Sequence, residues 1–394
     1  METTTYKISD IGEVVGGGTP STANSDFWGG DIPWISPKDL TGYKSVYISH
    51  GESFLTKTGL KSGTKLLPKG TVLFSSRAPI GYVAIASNPI CTNQGFKSII
   101  CNKEIINPLF LYYYIKGNLD YIKLFGTGAT FPEISGAAMR KIKVQIPTLP
   151  TQQKIASILS SYDRLIENNT RRIRLLEQMA ENLYKEWFVR FRFPEHEKVE
   201  MVNGLPKGWE RKELSDIADI TYGYAFKSNK FCSDNSLNAV VRIRDIQNNS
   251  TETYTDESCD ERYLIVRNAL LIGMDGIFHM CLWNGERAYL NQRVVMLNSK
   301  YNDMCNYLLY FAIRPQIKYW EQVIVGTTVA HLGDKHLKKI KVLIPDTNTL
   351  RLANKVIESA MKEINDLQQQ NQLLTRQRDL LLPRLMSGKL EVKS

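Results

Sequence analysis

Residues 151–190 read TQQKIASILSSYDRLIENNTRRIRLLEQMAENLYKEWFVR, and this stretch decides the fold. Pro147 and Pro150 precede it, Thr151 is a candidate N-cap and Pro194 follows it, so it is predicted to form one long helix. Apolar residues recur at alternating spacings of three and four, which is typical of a coiled-coil seam. The predicted seam is Ile155, Ile158, Tyr162, Leu165, Ile173, Leu176, Ala180, Leu183 and Trp187. At 1.5 Å per residue the helix would be roughly 60 Å long, so we expect it to connect or space other parts.

Composition limits the class of protein. With 394 residues, 43% of them hydrophobic and 23% charged, the chain can hold two or three globular domains. The start of the chain lacks a basic region followed by an apolar core, and no run of 18 apolar residues occurs, so a cytoplasmic protein without a membrane segment is expected. The net charge of +10 favours a polyanionic partner.

The second half of the chain repeats the first. Ser9-Asp10-Ile11 returns as Ser215-Asp216-Ile217, 206 residues later. Lys141-Ile142-Lys143-Val144 returns as Lys339-Ile340-Lys341-Val342, 198 residues later. Because the parts recur in the same order, the chain is predicted to be a tandem duplication of one architecture.

The duplication predicts a second long helix, and residues 349–382 provide it. Its seam keeps a heptad spacing, and Pro383 and Gly388 mark its predicted end. The seam is Leu350, Ala353, Ile357, Ala360, Ile364, Leu367, Asn371, Leu374, Arg378, Leu381 and Leu385. The predicted fold class is α+β, with two pseudo-symmetric globular domains separated by two long antiparallel helices that form a coiled coil. The expected boundaries are 1–150 for the first domain, 151–193 for its helix, 194–207 for a linker, 208–346 for the second domain and 347–394 for the second helix and tail.

Catalytic and metal-binding patterns are missing from the sequence. The run Gly16-Gly17-Gly18 lacks the spacing of a dinucleotide-binding loop and the Lys-Ser or Lys-Thr ending of a phosphate-binding loop. It is interpreted as a flexible turn. Asn107-Pro108-Leu109-Phe110 is similar to a methyltransferase motif but lacks its second proline, and Pro108 at a helix start explains it. The five histidines have no metal-ligand spacing, and the six cysteines form no Cys-x-x-Cys pair. No catalytic residue, metal site or cofactor of the chain itself is predicted.

Binding residues are sought where the two repeats share a framework but differ in side chain. Two domains that recognise two different nucleic-acid sequences would show this pattern. Neutral sequence variation on exposed loops would also produce it. The pairs are Ser36 with Arg242, Lys38 with Arg244, Arg77 with Asp275, Lys97 with Val295 and Thr130 with Ala330. Residues 1–150 carry 15 Lys and Arg against 10 Asp and Glu, a surplus that favours phosphate contacts.

Two loops that begin with Gly-Thr add further candidates. GTGATFPEIS starts at Gly126 and GTTVAHLGD at Gly326, and their small and hydroxyl residues suit a close approach to phosphates. A tight turn before the closing strand is the alternative interpretation. The DNA-binding candidates from these regions are Lys123, Thr127, Thr130, Arg293, Thr327, Thr328 and Lys335. In the helices, Asn169 and Asn371 are expected to face each other and fix the register.

Taken together, these features identify the chain as similar to the specificity subunits of type I restriction-modification enzymes. The resemblance covers nearly the whole chain and rests on motifs in a fixed order. They are IPWIS at 32–36, LPKGTVLFSSRAPIG at 67–81, NQGF at 93–96, residues 126–135, QKIA at 153–156, WF at 187–188, GLP at 204–206 with Gly208-Trp209, and LLPRL at 381–385. The second half lacks the Gln-Gln-Lys-Ile helix entry of residues 152–155.

The resemblance implies two target recognition domains, each reading one half of a bipartite double-stranded DNA site. It also implies helices that set the spacing and dock two methyltransferase subunits, which restriction and translocase subunits join. S-adenosylmethionine, ATP and Mg would then be bound by those partners, and this chain would be non-catalytic. The outer face of the first helix, with Arg164, Arg171, Arg174 and Lys185, is the predicted partner-docking surface. The alternatives are a free-standing DNA methyltransferase or nuclease, and a coiled-coil assembly scaffold without DNA specificity.

Overall fold

The computed structural model describes residues 2–128, 132–301, 303–324 and 330–392. The chain divides into two compact units, Met1–Thr170 with Gln369–Ser394, and Arg171–Gln368. Each unit contains one globular part and a segment of both long helices, because both unit boundaries fall inside those helices. None of the helices in the described ranges combines the length and apolar character needed to cross a membrane.

The globular part of the first unit is α+β, as predicted. Its elements are β1 Thr4–Lys7, α1 Ile8–Ile11, β2 Gly12–Gly16, β3 Trp28–Ile35, β4 Tyr47–Ile48, β5 Ser53–Leu55, α2 Lys57–Lys61, β6 Val72–Ser76, β7 Ile80–Ala86, β8 Cys91–Thr92, β9 Lys97–Cys101, α3 Pro108–Gly117, α4 Leu119–Lys123, α5 Gly136–Lys141 and β10 Lys143–Ile146. The strands form a five-stranded sheet of order β2-β9-β6-β7-β4, a three-stranded sheet of order β5-β3-β8 and the antiparallel pair β1-β10. Every residue of β6 is buried, so this strand is the centre of the core.

Helix α3 covers one face of this core. The Asn107 side chain accepts hydrogen bonds from the backbone of Leu109 and Phe110, and Pro108 occupies the first turn. The Asn-Pro-Leu-Phe segment is therefore a helix start, as the sequence indicated. Six consecutive residues of α3, Phe110 to Ile115, are buried.

The two long helices are α6, Leu149–Tyr184, and α10, Thr347–Met386. Both begin two residues before the predicted starts at Thr151 and Thr349. A π-helical turn, Lys185–Val189, continues α6. Helix α10 runs through Pro383, and the Ser387 backbone N–H donates to the Pro383 carbonyl oxygen at 3.0 Å. The proline therefore lies within the last turn instead of ending the helix.

The second unit repeats the architecture of the first. Its elements are β11 Met201–Val202, β12 Leu205–Pro206, β13 Glu210–Glu213, α7 Leu214–Ile217, β14 Ala218–Tyr222, β15 Asn238–Val241, β16 Tyr254–Thr255, β17 Leu270–Gly273, β18 Met280–Leu282, β19 Tyr289–Leu290, β20 Val294–Ser299, α8 Asn306–Val323, α9 Asp334–Leu337 and β21 Lys341–Ile344. The strands form a four-stranded sheet of order β14-β20-β17-β18, a three-stranded sheet of order β16-β15-β19, the pair β13-β21 and the pair β11-β12. The closing strand β10 pairs with β1, and the closing strand β21 pairs with β13.

The long helices pair antiparallel within each unit, as predicted. In the first unit Asp163 forms an ion pair with Arg378, and the Asn371 side-chain amide donates to the Thr170 hydroxyl at 3.3 Å. In the second unit Arg172 forms an ion pair with Glu363. Contacts made later along α6 are made earlier along α10, as antiparallel pairing requires.

The predicted seam of α10 is confirmed, but that of α6 is partly wrong. All eleven predicted α10 seam residues are buried or half-buried. On α6, however, Ile158 and Leu165 are 37% and 50% exposed, whereas Ala156 and Leu159 are buried. Ala156 and Leu159 belong to the hydrophobic core of the globular part, so the first turns of α6 are oriented by that core as well as by α10.

The two seam asparagines do not bond to each other. The Asn169 side-chain amide donates to the Gln370 side-chain oxygen at 3.4 Å, while Asn371 donates to Thr170. The Asn371 side-chain oxygen is buried and has no hydrogen-bond partner within the described residues. Each asparagine therefore contacts the opposite helix one residue away from the expected partner.

Candidate nucleic-acid interface

In the first unit, a polar cluster forms where the hairpin between β6 and β7 meets the segment that follows residue 131. Arg77 and Glu133 form an isolated antiparallel β-bridge through their backbones. Their side chains form an ion pair, with 3.5 Å between Arg77 Nη1 and Glu133 Oε2. The Lys97 Nζ atom lies 3.2 Å from the other oxygen of the same carboxylate. Glu133 therefore holds two cationic side chains that the sequence analysis proposed as DNA-binding residues.

A tight turn at Asn93 contacts this cluster through the Lys97 side chain. The Asn93 side chain accepts a hydrogen bond of 2.8 Å from the Gly95 backbone, and Lys97 donates to the Gln94 carbonyl oxygen at 3.3 Å. Gly17 packs against the same turn, since a Cβ atom at Gly17 would lie 2.0 Å from the Asn93 carbonyl oxygen. Gly17 is therefore a site of close backbone approach.

The second unit builds its polar cluster on the same framework. Asp275 and His331 form an isolated antiparallel β-bridge, and His331 Nδ1 lies 2.6 Å from Asp275 Oδ1. Arg293 Nε lies 3.4 Å from the second oxygen of Asp275. A Cβ atom at Gly223 would lie 1.9 Å from the Asn291 carbonyl oxygen. The bridge and the close glycine contact therefore recur.

The hairpin side of the bridge carries opposite charges in the two units. Arg77 and Asp275 are 198 residues apart, and so are Glu133 and His331. The first unit thus has a cation on the hairpin and a carboxylate on the facing segment, whereas the second has a carboxylate on the hairpin and an imidazole on the facing segment. Arg77 is 39% exposed and Asp275 is 29% exposed, so both side chains reach the surface.

Ser36 and Arg242 occupy equivalent positions, each at the start of a short helical turn. The Ser36 hydroxyl and backbone N–H both donate to Asp39 at 2.7 Å, and the Arg242 backbone N–H donates to Asp245 at 2.8 Å. The Arg242 guanidinium also stacks 5.2 Å from the Phe231 ring centroid. These residues stabilise the turns, and their role as DNA contacts stays a prediction.

The neighbouring cations are more exposed. Lys38 donates a hydrogen bond of 2.9 Å to Glu52, and this bond raises the pKa of Lys38. Arg244 is 65% exposed and donates to the Thr253 hydroxyl at 3.1 Å. Both side chains therefore keep free donors at the surface, which suits contacts with phosphates.

The remaining candidates lie near the Gly-Thr loops. Lys123, Thr127 and Lys335 are exposed. The Thr127 backbone exchanges two hydrogen bonds with Glu133, of 3.0 and 2.9 Å, which ties this loop to the first cluster. Beside Lys335, a hydrogen bond from Lys338 and another from Tyr222 lower the pKa of Asp334. The candidates outside the described residues are Thr130, Thr327 and Thr328.

Sequence reasoning missed the two residues that face the hairpins, Glu133 and His331. The histidines have no metal-ligand spacing, and no sequence motif singles out Glu133. Their equal spacing of 198 residues, the same as that of Arg77 and Asp275, was a usable signal. Also missed was the stack in which the Arg262 guanidinium lies 4.7 Å from the Tyr263 ring centroid.

The long helices carry exposed apolar residues beside the predicted basic ones. Arg164, Arg171 and Arg174 are exposed, while Lys185 forms an ion pair of 2.8 Å with Glu181. Two apolar positions recur 198 residues apart and are exposed in both repeats. They are Ile158 and Val356, 37% and 38% exposed, and Leu175 and Leu373, 52% and 60% exposed. The first unit has Ile158 and Leu373, and the second has Val356 and Leu175.

Within the ranges that the structure covers, no group of three or more His, Cys, Asp or Glu side chains could hold a metal ion. The two globular parts instead present exposed hydrogen-bond donors and acceptors on loops next to their sheets.

Comparison with known proteins is consistent with this arrangement. The chain matches the family described as type I restriction modification DNA specificity domain over residues 1–178 and 206–376. It is 34% identical to the MjaIX specificity subunit of Methanocaldococcus jannaschii, over 98% of this chain and 93% of that protein. It is 25% identical to the HindI specificity subunit of Haemophilus influenzae, over 83% of this chain and 88% of that protein. The fold matches the crystal structure of an S subunit from M. genitalium with a TM-score of 0.66 and 16% identity, covering 100% of this chain and 97% of that one.

Proposed function

Because this chain belongs to the type I restriction-modification DNA specificity family, we propose that it is the DNA-recognition subunit of a methyltransferase and endonuclease complex. In this role, the globular part of each unit reads one half of a bipartite double-stranded site. The observation that carries the proposal is the pair of bridge clusters, in which one backbone framework presents opposite charges. Two readers of different sequences need a common scaffold and different contacting side chains.

The long helices set the spacing between the half-sites and dock the partner subunits. The two recurring exposed apolar pairs, Ile158 with Leu373 and Val356 with Leu175, give each unit its own apolar docking residues. Exposed apolar groups on a polar helix favour burial against a partner. Two equivalent sets support two methyltransferase subunits per chain, which restriction and translocase subunits then join.

The chemistry of the complex belongs to those partners in this proposal. S-adenosylmethionine is bound by the methyltransferase subunits, ATP and Mg by the partner subunits, and the specificity chain is non-catalytic. The charged clusters of the two units serve to bind and select DNA.

The test is a methylation profile of the assembled system. The chain is co-expressed with its methyltransferase partner in a host without other adenine methylation, and genomic methylation is mapped at single-base level. We expect methylation at one two-part sequence with a fixed spacer, and none when the chain is expressed alone. Methylation or cleavage by the purified chain alone would indicate a free-standing enzyme. Complex formation without any two-part site would indicate a coiled-coil assembly scaffold.

A further inference from the structure

We infer that Arg77 and Asp275 are the base-selecting side chains of the two units, with Arg77 selecting a guanine and Asp275 a cytosine. This inference rests on the proposed function, because it assumes that the globular parts bind DNA, and it adds which base each unit requires at one position of its half-site.

Arg77 has the chemistry for guanine. A guanidinium has five N–H donors in a fixed fork, and the ion pair with Glu133 uses Nη1. The donors that remain match the O6 and N7 acceptors that guanine presents in the major groove. The backbone bridge fixes the main chain at Arg77 and Glu133 pairs with its side chain, and such support favours a specific contact.

Asp275 has the opposite chemistry at the equivalent position. His331 and Arg293 each engage one of its carboxylate oxygens, at 2.6 and 3.4 Å, and each oxygen has a further lone pair. Those lone pairs can accept from the N4 amino group of cytosine. Adenine also has an amino group there, but its N7 acceptor would face the carboxylate. Asp275 therefore favours cytosine.

The identity of these side chains is not dictated by the fold. The same β-bridge forms between Arg77 and Glu133 in one unit and between Asp275 and His331 in the other. Partly exposed ion pairs contribute little to stability, so stability alone does not explain why charged side chains occupy both positions. Base selection explains both the fixed backbone and the opposite charges of Arg77 and Asp275.

The experiment measures sequence preference with the complete complex. The chain and its methyltransferase partner are assayed on a library in which both half-sites are randomised. The variants are Arg77→Lys, Arg77→Gln and Asp275→Asn, and Lys38→Gln is the control. Lys38 lies in the same unit as Arg77 and is 77% exposed, so its loss should weaken binding to all sequences alike.

Arg77→Lys keeps the positive charge that pairs with Glu133 but loses the two-pronged fork. We expect discrimination in favour of guanine to fall roughly 5- to 150-fold at one position of one half-site, with the other half-site unchanged. Arg77→Gln should favour adenine at that position, and Asp275→Asn should change cytosine to adenine in the other half-site, since Gln and Asn match the adenine edge.

Three results would overturn the inference. They are a wild-type site without the expected guanine or cytosine, a uniform loss of binding in the variants, and unchanged base preference in variants that still assemble. A wild-type complex with no two-part preference would instead overturn the proposed function itself. Assembly with the methyltransferase partner reports folding of each variant independently of base preference.

Discussion

Arg378 of α10 and Asp163 of α6 form an ion pair whose side chains are only 15% and 10% exposed. The Tyr113 hydroxyl of α3 donates to the second oxygen of the same carboxylate. One buried carboxylate therefore joins both long helices to the globular part of the first unit. The exposed pair of Arg172 and Glu363 joins the same helices in the second unit, with side chains 51% and 45% exposed.

These two pairs should differ strongly in their contribution to stability. Arg378→Met leaves the Asp163 carboxylate buried without its cation, and we expect it to lower the free energy of unfolding by about 3–5 kcal/mol. Arg172→Met removes an exposed pair and should cost less than about 1 kcal/mol. Hydrogen exchange along α6, followed by mass spectrometry, measures both effects within each unit. Equal effects of the two substitutions would contradict the importance of burial.

The polar seam residues offer a test of register. Asn371 has a buried oxygen without a partner in the described part of the chain, so the double variant Asn169→Leu with Asn371→Leu should be as stable as the wild type or more stable. Polar seam residues specify register, so the variant should accept more than one spacer length. The spacer distribution in the methylation profile measures this. A single unchanged spacer would show that other contacts fix the register.

Helix length should determine the spacer. Seven residues inserted after Thr170 and seven after Gln368 add one heptad to each helix and keep the seam in phase. The added length is about 10.5 Å, or about 3 base pairs at about 3.4 Å per base pair. We expect methylation sites with a spacer longer by about 3 base pairs and unchanged half-sites. Altered half-sites would be incompatible with a role of the helices in spacing alone.

The exposed leucines should matter for docking. Leu175→Glu and Leu373→Glu place a charge where a partner would bury an apolar side chain, and each should weaken methyltransferase binding about tenfold or more. Val266→Glu is the matched control, because Val266 is 52% exposed in the globular part of the second unit. Titration calorimetry with the partner subunit measures the affinity. If Arg164→Glu and Arg171→Glu weaken binding while the leucine variants do not, the basic surface is the docking site.

Thiol reactivity tests the packing of both units. Burial raises the pKa of Cys101 and of Cys281 to about 12, so at pH 8 both stay protonated and should resist alkylation. Cys232 is exposed and should be alkylated first. Peptide mapping after brief treatment with iodoacetamide measures the order. Early modification of Cys101 or Cys281 would contradict the described cores.

The sequence predicted these features unequally, for physical reasons. The seam of α10 follows from its apolar spacing, because the buried face of that helix is continuous from Leu350 to Leu385. Ile158 and Leu165 of α6 were wrongly assigned to the seam, because α6 also packs against the core around Leu159 and this core changes which face of the helix is buried. Glu133 was missed because a β-bridge joins it to Arg77 across 56 residues, and a contact at that separation leaves no local pattern.

Gly17 and Gly223 determine how such a chain can evolve. Any larger residue there would collide with a backbone carbonyl oxygen, so we expect almost no substitution to be tolerated at these two positions. Arg77 and Asp275 occupy the adjoining frameworks yet differ in charge, which shows that their positions accept unlike side chains. Under the proposed role, single codon changes at these two positions would change the recognised base without rebuilding the loops that present them.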